Sequence, residues 1–209
     1  MPNWCQTEIK IFSSVDSIKS MHDHMKEAFA NGDIETDFGC NWLGNLATYL
    51  GIPYDTVPCR GWVDYMQLEI EDDENCDADA GNYLDVWTMT AWGPMVKVIK
   101  MFADKYCEEN KVYYVATEDG NALYMTNAPD YKDHYVIDVR DYNDKYSEFF
   151  YDIDDRDNVS RSRLNALLRE VFQIRGNAST EDMIDKLSRE TEEVAIYQYE
   201  FQEVDYETN

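Results

Sequence analysis

The chain has 209 residues, and its 43 Asp and Glu against 18 Lys and Arg leave a formal net charge of −25. Such a charge opposes direct contact with nucleic acid and favours a basic partner. Apolar residues make up 44% and aromatics 14%, with 16 Tyr, too much for a disordered acidic tail and enough to bury a core.

The opening residues have neither a basic nor an apolar leader region, and no apolar run approaches the roughly 18 residues of a spanning helix. A soluble, unexported, cytoplasmic protein without a membrane partner is expected. The five cysteines, Cys5, Cys40, Cys59, Cys76 and Cys107, lie far apart with no CxxC and no Cys/His zinc spacing, so they read as free thiols.

Thr7 to Phe12 alternates as a strand with Ile9 and Ile11 inward. Ser13 or Ser14 then caps a helix carrying Val15, Ile18, Met21, Met25 and Phe29, which ends at Asn31-Gly32. Residues 33–61, rich in Gly and Pro around a short apolar helix near Trp42 to Leu50, read as an insertion. Trp62 to Ile70 and Tyr83 to Trp92 are strands joined by an acidic loop, 71–81. Pro94 suits the first turn of a helix whose face carries Val96, Ile99, Phe102, Ala103 and Tyr106. Lys111 to Thr117 is a strand, and Asp119-Gly120 reads as a two-residue primed turn leading through Ala122 to Met125.

This order predicts an α+β fold: a ferredoxin-like split βαβ sandwich over residues 1–127, with an extended antiparallel sheet. Residues 128–209 read as a mixed, partly helical C-terminal extension packed on that core. Within it, His134 to Arg140 and Ser147 to Tyr151 are predicted strands. A helix follows with Leu164, Leu167, Leu168, Val171 and Phe172. Ser179 and Asp182 then resemble a capping box, and Ala195 to Val204 closes as a strand.

Met1-Pro2-Asn3-Trp4-Cys5 leading into a strand, with Ala91-Trp92-Gly93-Pro94 before the second main helix, resembles the YubB-type ferredoxin-like proteins of phages and plasmids, over about residues 1–127. The resemblance implies a fold and a mobile-element setting. It carries no assigned catalytic residues and no function. Trp4 and Cys5 are expected to pack beneath the sheet edge, and Trp92 to form a strand-to-helix corner.

Charge is uneven: residues 1–155 hold 31 acids and 11 bases, 156–190 hold 6 and 7, and 191–209 hold 6 and none. The acidic loops lack the glycine and terminal glutamate of a calcium loop. His22 and His24 cannot face one another, His134 stands alone, and no phosphate-loop, dinucleotide or zinc-protease motif occurs. No enzyme, metal or cofactor is therefore expected. Lys111-Val112-Tyr113-Tyr114-Val115 resembles an RNA-binding strand only superficially, because an acidic face repels phosphates.

The charge itself is the remaining candidate. Carboxylates displayed on a compact body can occupy a cleft built for DNA phosphates. The expected partner-binding residues are Glu69, Glu71, Asp72, Asp73, Glu74, Asp77 and Asp79; Asp138, Asp141 and Asp144; Asp152, Asp154, Asp155 and Asp157; and the tail from Glu192 to Glu207. Arg161, Arg163 and Arg169 form a secondary basic patch. With the mobile-element resemblance, these features make the expected partner the basic surface of a host restriction nuclease or CRISPR effector. The alternatives are an accessory protein whose acidity serves solubility, or a small-ligand or metal-binding domain. A monomer and a homodimer are equally compatible with the sequence.

Overall fold

A computed structural model describes residues 3–32, 36–70 and 81–204. The chain divides into two compact units, residues 1–127 with 202–209, and residues 128–201. Residues 128–209 therefore do not fall together. From Gln202 the chain rejoins the first unit, where the Gln202 N–H donates to Thr126 O (2.8 Å) and its carbonyl accepts from the Tyr114 hydroxyl (2.9 Å).

In the first unit, β1 (Trp4–Phe12), β2 (Gly61–Glu69), β3 (Tyr83–Ala91), β4 (Lys111–Glu118) and β5 (Leu123–Thr126) run in the sheet order β2-β3-β1-β4-β5. Neighbours are antiparallel throughout. Hence β1 runs parallel to β2 with β3 between them, and β3 runs parallel to β4 with β1 between them. Helical connections bridge each parallel pair: α1 (Val15–Ala30) and α2 (Leu43–Tyr49) the first, α3 (Lys97–Tyr106) the second. Strand alternation sends Ile9, Ile11, Leu84 and Val86 to the face under these helices, where they meet Ile18, Met25, Ile99 and Phe102.

Several local expectations change. The segment expected as an insertion is part of the core, because α2 buries Leu43, Leu46 and Ala47 beside α1 and α3. Strand β1 starts at Trp4, so alternation puts Cys5 inside while Trp4 remains 36% exposed on the other face; only Cys5 packs beneath the sheet. A register shift between Val63 and Tyr65 lets Val63 and Met66 both pack toward the core.

Helix α3 begins at Lys97, three residues after Pro94, because the chain first turns through Trp92 at φ +68°. The Asp119-Gly120 turn is longer than two residues. Asp119–Asn121 form one 3₁₀ turn and Ala122 takes the left-handed position at φ 52°. The buried Glu118 carboxylate stabilises this turn, accepting from the Gly120 N–H (2.7 Å), the Asn121 N–H (3.1 Å) and Asn121 Nδ2 (2.7 Å).

The second unit has its own core. Strands β6 (His134–Val139), β7 (Val159–Ser160) and β8 (Val194–Gln198) pair antiparallel in the order β7-β6-β8. Tyr135 and Ile137 pack against Phe150 of α4 (Lys145–Tyr151), Leu164 and Leu168 of α5 (Arg161–Phe172), and Met183 and Leu187 of α6 (Thr180–Glu190). The predicted strand Ser147 to Tyr151 is thus helical. Asp144 and Ser147 form a capping box, and Tyr146 and Phe150, four apart, share the buried face. Among the described residues, no helix is long and apolar enough to cross a membrane.

Candidate partner-binding surface

Three acidic segments that are remote in sequence meet at one end of the second unit. Near the end of strand β6 Asp138 lies opposite Ala195, and the Arg140 N–H donates to Glu193 O (2.8 Å), which brings Glu192 and Glu193 beside the first segment. On the other edge of β6, the Ile137 N–H donates to Arg156 O (2.8 Å), so the turn Asp152 to Asp157 lies against the same strand. Asp141, Asp152, Asp154, Asp155, Asp157 and Glu192 are exposed. The convergence follows from strand pairing, since β6 is the central strand and each of its neighbours carries an acidic flank.

A pair of aromatics marks this end. Tyr142 and Tyr151 are 51% and 42% exposed, with ring centroids 4.0 Å apart, and the Arg156 guanidinium lies 5.1 Å from the Tyr151 ring. Asp141 accepts from the Tyr142 N–H (2.7 Å) and from Asn143 Nδ2 (2.8 Å). Arg140 lies 3.7 Å from Asp138. Sequence reasoning missed Tyr142 and Tyr151; the alternation of Tyr with Asp in Asp141-Tyr142 and Tyr151-Asp152 was the available signal.

Not every predicted acid is free for display. Asp144 accepts from the N–H groups of Tyr146 (2.9 Å) and Ser147 (2.8 Å) and from the Thr191 hydroxyl. Desolvation opposes its ionisation, but these hydrogen bonds outweigh that effect and hold its carboxyl below the usual carboxylate range. Glu69 lies in the other unit, at the end of β2 opposite Tyr83. Glu71, Asp72, Asp73, Glu74, Asp77, Asp79 and the end of the acidic tail lie outside the described residues.

The basic residues are mostly engaged internally. Arg161 binds the Tyr135 hydroxyl (3.1 Å) and pairs with Glu181. Arg169 donates to Asn165 Oδ1 (2.6 Å), Gly176 O (2.6 Å) and Ala178 O (3.0 Å), tying α5 to the loop before α6. Arg163 is exposed. Arg161 is exposed as well despite its pairing, whereas Arg169 is only partly exposed.

Tyr113 and Tyr114 separate across the sheet. Tyr114 is buried under the helices, whereas Tyr113 lies 5.9 Å from Phe12 on the opposite face. A cleft of about 780 Å³ near that pair is lined by Ser13, Ser14, Lys100, Asp104 and Glu109. Its polar groups already partner one another: Lys100 binds Asp104, and the Ser13 hydroxyl donates to Glu109 O (2.6 Å). Among the described residues, no group of three or more His, Cys, Asp or Glu side chains is arranged to hold a metal ion.

The chain is thus a mixed α+β protein with an acidic, tyrosine-bearing end on its second unit. No family model, curated protein or solved structure matches it.

Proposed function

We propose that this is a non-catalytic acidic protein of a phage or other mobile element, acting in the host cytosol. It binds and inhibits a nucleic-acid-handling defence complex, a restriction nuclease or CRISPR effector, by DNA mimicry. Its first unit is read as a ferredoxin-like split βαβ scaffold. The observation that carries the reading is the convergence of Asp138 and Asp141, Asp152 to Asp157, and Glu192 and Glu193 at one end of the second unit.

Duplex DNA offers a cleft one phosphate charge per about 1.7 Å. Clustered carboxylates on a folded body can meet the same Lys and Arg without the entropy cost of ordering a flexible acidic tail. The exposed Tyr142–Tyr151 pair adds a rigid aromatic surface of the kind that anchors arginine at protein interfaces.

The test is co-purification of the full chain with a candidate nuclease complex, with competition by duplex DNA across a salt series. Mimicry predicts that DNA displaces the protein and that affinity falls steadily with salt. Changing Asp152, Asp154, Asp155 and Asp157 to Asn, or Asp72, Asp73, Asp77 and Asp79 to Asn with Glu74 to Gln, should weaken binding and flatten the salt dependence. Binding unchanged after both sets are neutralised overturns the proposal.

A further inference from the structure

In the first unit β2 is an edge strand, and its outer edge runs beside α1 to enclose a groove of about 390 Å³. Lys26 and Phe29 of α1 form one wall and Val63 to Met66 of β2 the other, with Cys40 and Asn41 completing the lining. Phe29 and Met66 supply apolar surface continuous with the core. Lys26 and Asp64 stand on opposite walls, so within a strongly acidic chain this groove carries no net charge.

Strand parity decides which backbone groups point along this edge. The Ala91 N–H donates to Arg60 O (3.0 Å), so the odd-numbered residues of β3 face β2. Tyr65 and Gln67, opposite Trp87 and Asp85, therefore direct their N–H and C=O groups to β3, whereas those of Met66 and Leu68 point outward. Among the described residues nothing bonds to these outward groups. The chain itself already extends the same edge once. Trp42 bridges Trp62 antiparallel, the Val63 N–H donates to Asn41 O (2.9 Å), and Val63 O accepts from Asn41 Nδ2 (3.2 Å). That added line stops at Asn41, and the edge continues beyond it through Met66 and Leu68.

We infer that this groove binds an extended segment of a partner protein by strand addition, its main chain paired with Met66 and Leu68 and its alternate, apolar side chains set against Phe29 and Met66. The groups on display define the occupant: N–H donors and C=O acceptors at strand spacing match a peptide backbone, and about four hydrogen bonds form. Residues opposite Met66 and Leu68 share their face of the sheet, so those side chains enter the groove while the residue between them points away. Nucleic acid offers no such alternation of amide donors and acceptors. A second copy pairing through its own β2 would bring its α1 against Lys26 and Phe29, and the exposed Asp64 at the bulge also works against edge-to-edge pairing.

Strand addition here does not depend on DNA mimicry and is tested separately. The full chain is titrated with a short uncharged peptide alternating Val with Thr and Gln, with the same peptide N-methylated at its valines, and with a peptide of equal composition whose valines are contiguous. The readouts are the amide resonances of Met66 and Leu68 and the alkylation rate of Cys40, an exposed thiol of the groove lining, followed by mass spectrometry. The alternating peptide should shift both resonances and slow alkylation severalfold. N-methylation removes the donors that face β2 and should weaken binding about tenfold. Affinity should hold across a salt series, because no charge pairs form, whereas binding by mimicry weakens.

Leu68→Pro deletes an outward N–H while sparing the bonds between β2 and β3, as proline can on a strand edge, and should abolish the effect of the peptide. Changing Asp152, Asp154, Asp155 and Asp157 to Asn should leave that effect intact, which separates the groove from the acidic end of the second unit. Unmoved Met66 and Leu68 resonances, or equal binding of the N-methylated or contiguous-valine peptide, overturns the inference. So does protection of Cys40 by a single-stranded oligonucleotide in place of the peptide, or by raised concentration of the protein alone. Should Leu68→Pro fail to fold, the N-methylated peptide on the unsubstituted protein decides.

Discussion

The backbone N–H of Trp92 donates to the carbonyl of Asn3 at 2.9 Å, joining two short sequence signatures that are remote from each other along the chain. The bond extends the β1–β3 ladder past its last pair, Trp4 with Ala91. At that point Trp92 takes φ +68°, a left-handed backbone that costs a non-glycine residue roughly 1–2 kcal/mol. Its ring, 52% exposed, is covered on one side by Arg60.

This geometry inverts the usual order of two substitutions. Trp92→Ala and Trp92→Gly both lose the ring and its Arg60 stack, but only glycine relieves the backbone. Trp92→Gly should therefore be the more stable of the two by about 1 kcal/mol, read as the difference in urea midpoint at equal slope. An alanine variant at least as stable would show that the left-handed turn is not maintained.

Asp144 supplies both the cap of α4 and an acceptor for Thr191. Asp144→Ala should destabilise the protein by about 1–2 kcal/mol at neutral pH. Because the folded carboxyl titrates below its unfolded value, the stabilisation is present above the unfolded value of about 4 and is lost as pH falls through the folded one. The gap between the two proteins in urea denaturation should narrow toward pH 3.

Asp85 has the opposite sign. Burial raises its folded pKa, so the folded state binds the proton more tightly and this group's contribution to stability falls as pH rises from about 4 through the raised value. Asp85→Asn keeps an acceptor for Trp87 Nε1 and removes that slope. The variant should gain stability over the parent at neutral pH and lose the advantage in acid, as checked by denaturation between pH 3 and 7.

Gly61 marks a close approach of two backbones. A Cβ there would lie 2.2 Å from the Met89 carbonyl oxygen and 2.7 Å from Thr90 Cα, whereas one at Gly176 meets nothing within 4 Å. Gly61→Ala should cost about 1–3 kcal/mol by forcing β2 away from β3. Gly176→Ala serves as the control and should change the thermal midpoint little.

The acidic segments of the candidate site were each readable from residue type, because charge runs are local. Their meeting was not, since it depends on the pairing of β6 with β8 and on the bond from Ile137 to Arg156. Residue type also overstated the site. Asp144 looks like its neighbours but is taken up by a helix cap, and Arg169 is taken up by loop carbonyls. Hydrogen-bond partners across a fold leave no mark in a one-dimensional charge count.

The sequence by itself determined the order of most elements, the buried faces of β1, α1, β3 and α5, and the strongly acidic character of the chain. Periodicity and composition act over a few residues, so these features need no distant partner to be legible. Tertiary structure decided that α2 belongs to the core, that Ser147 to Tyr151 is helical, and that Gln202 rejoins the first unit. It also decided which carboxylates gather and which aromatics share the open sheet face. Each of these depends on long-range burial or register, where one residue of bulge at Val63–Tyr65 or one strand pairing redirects every side chain beyond it.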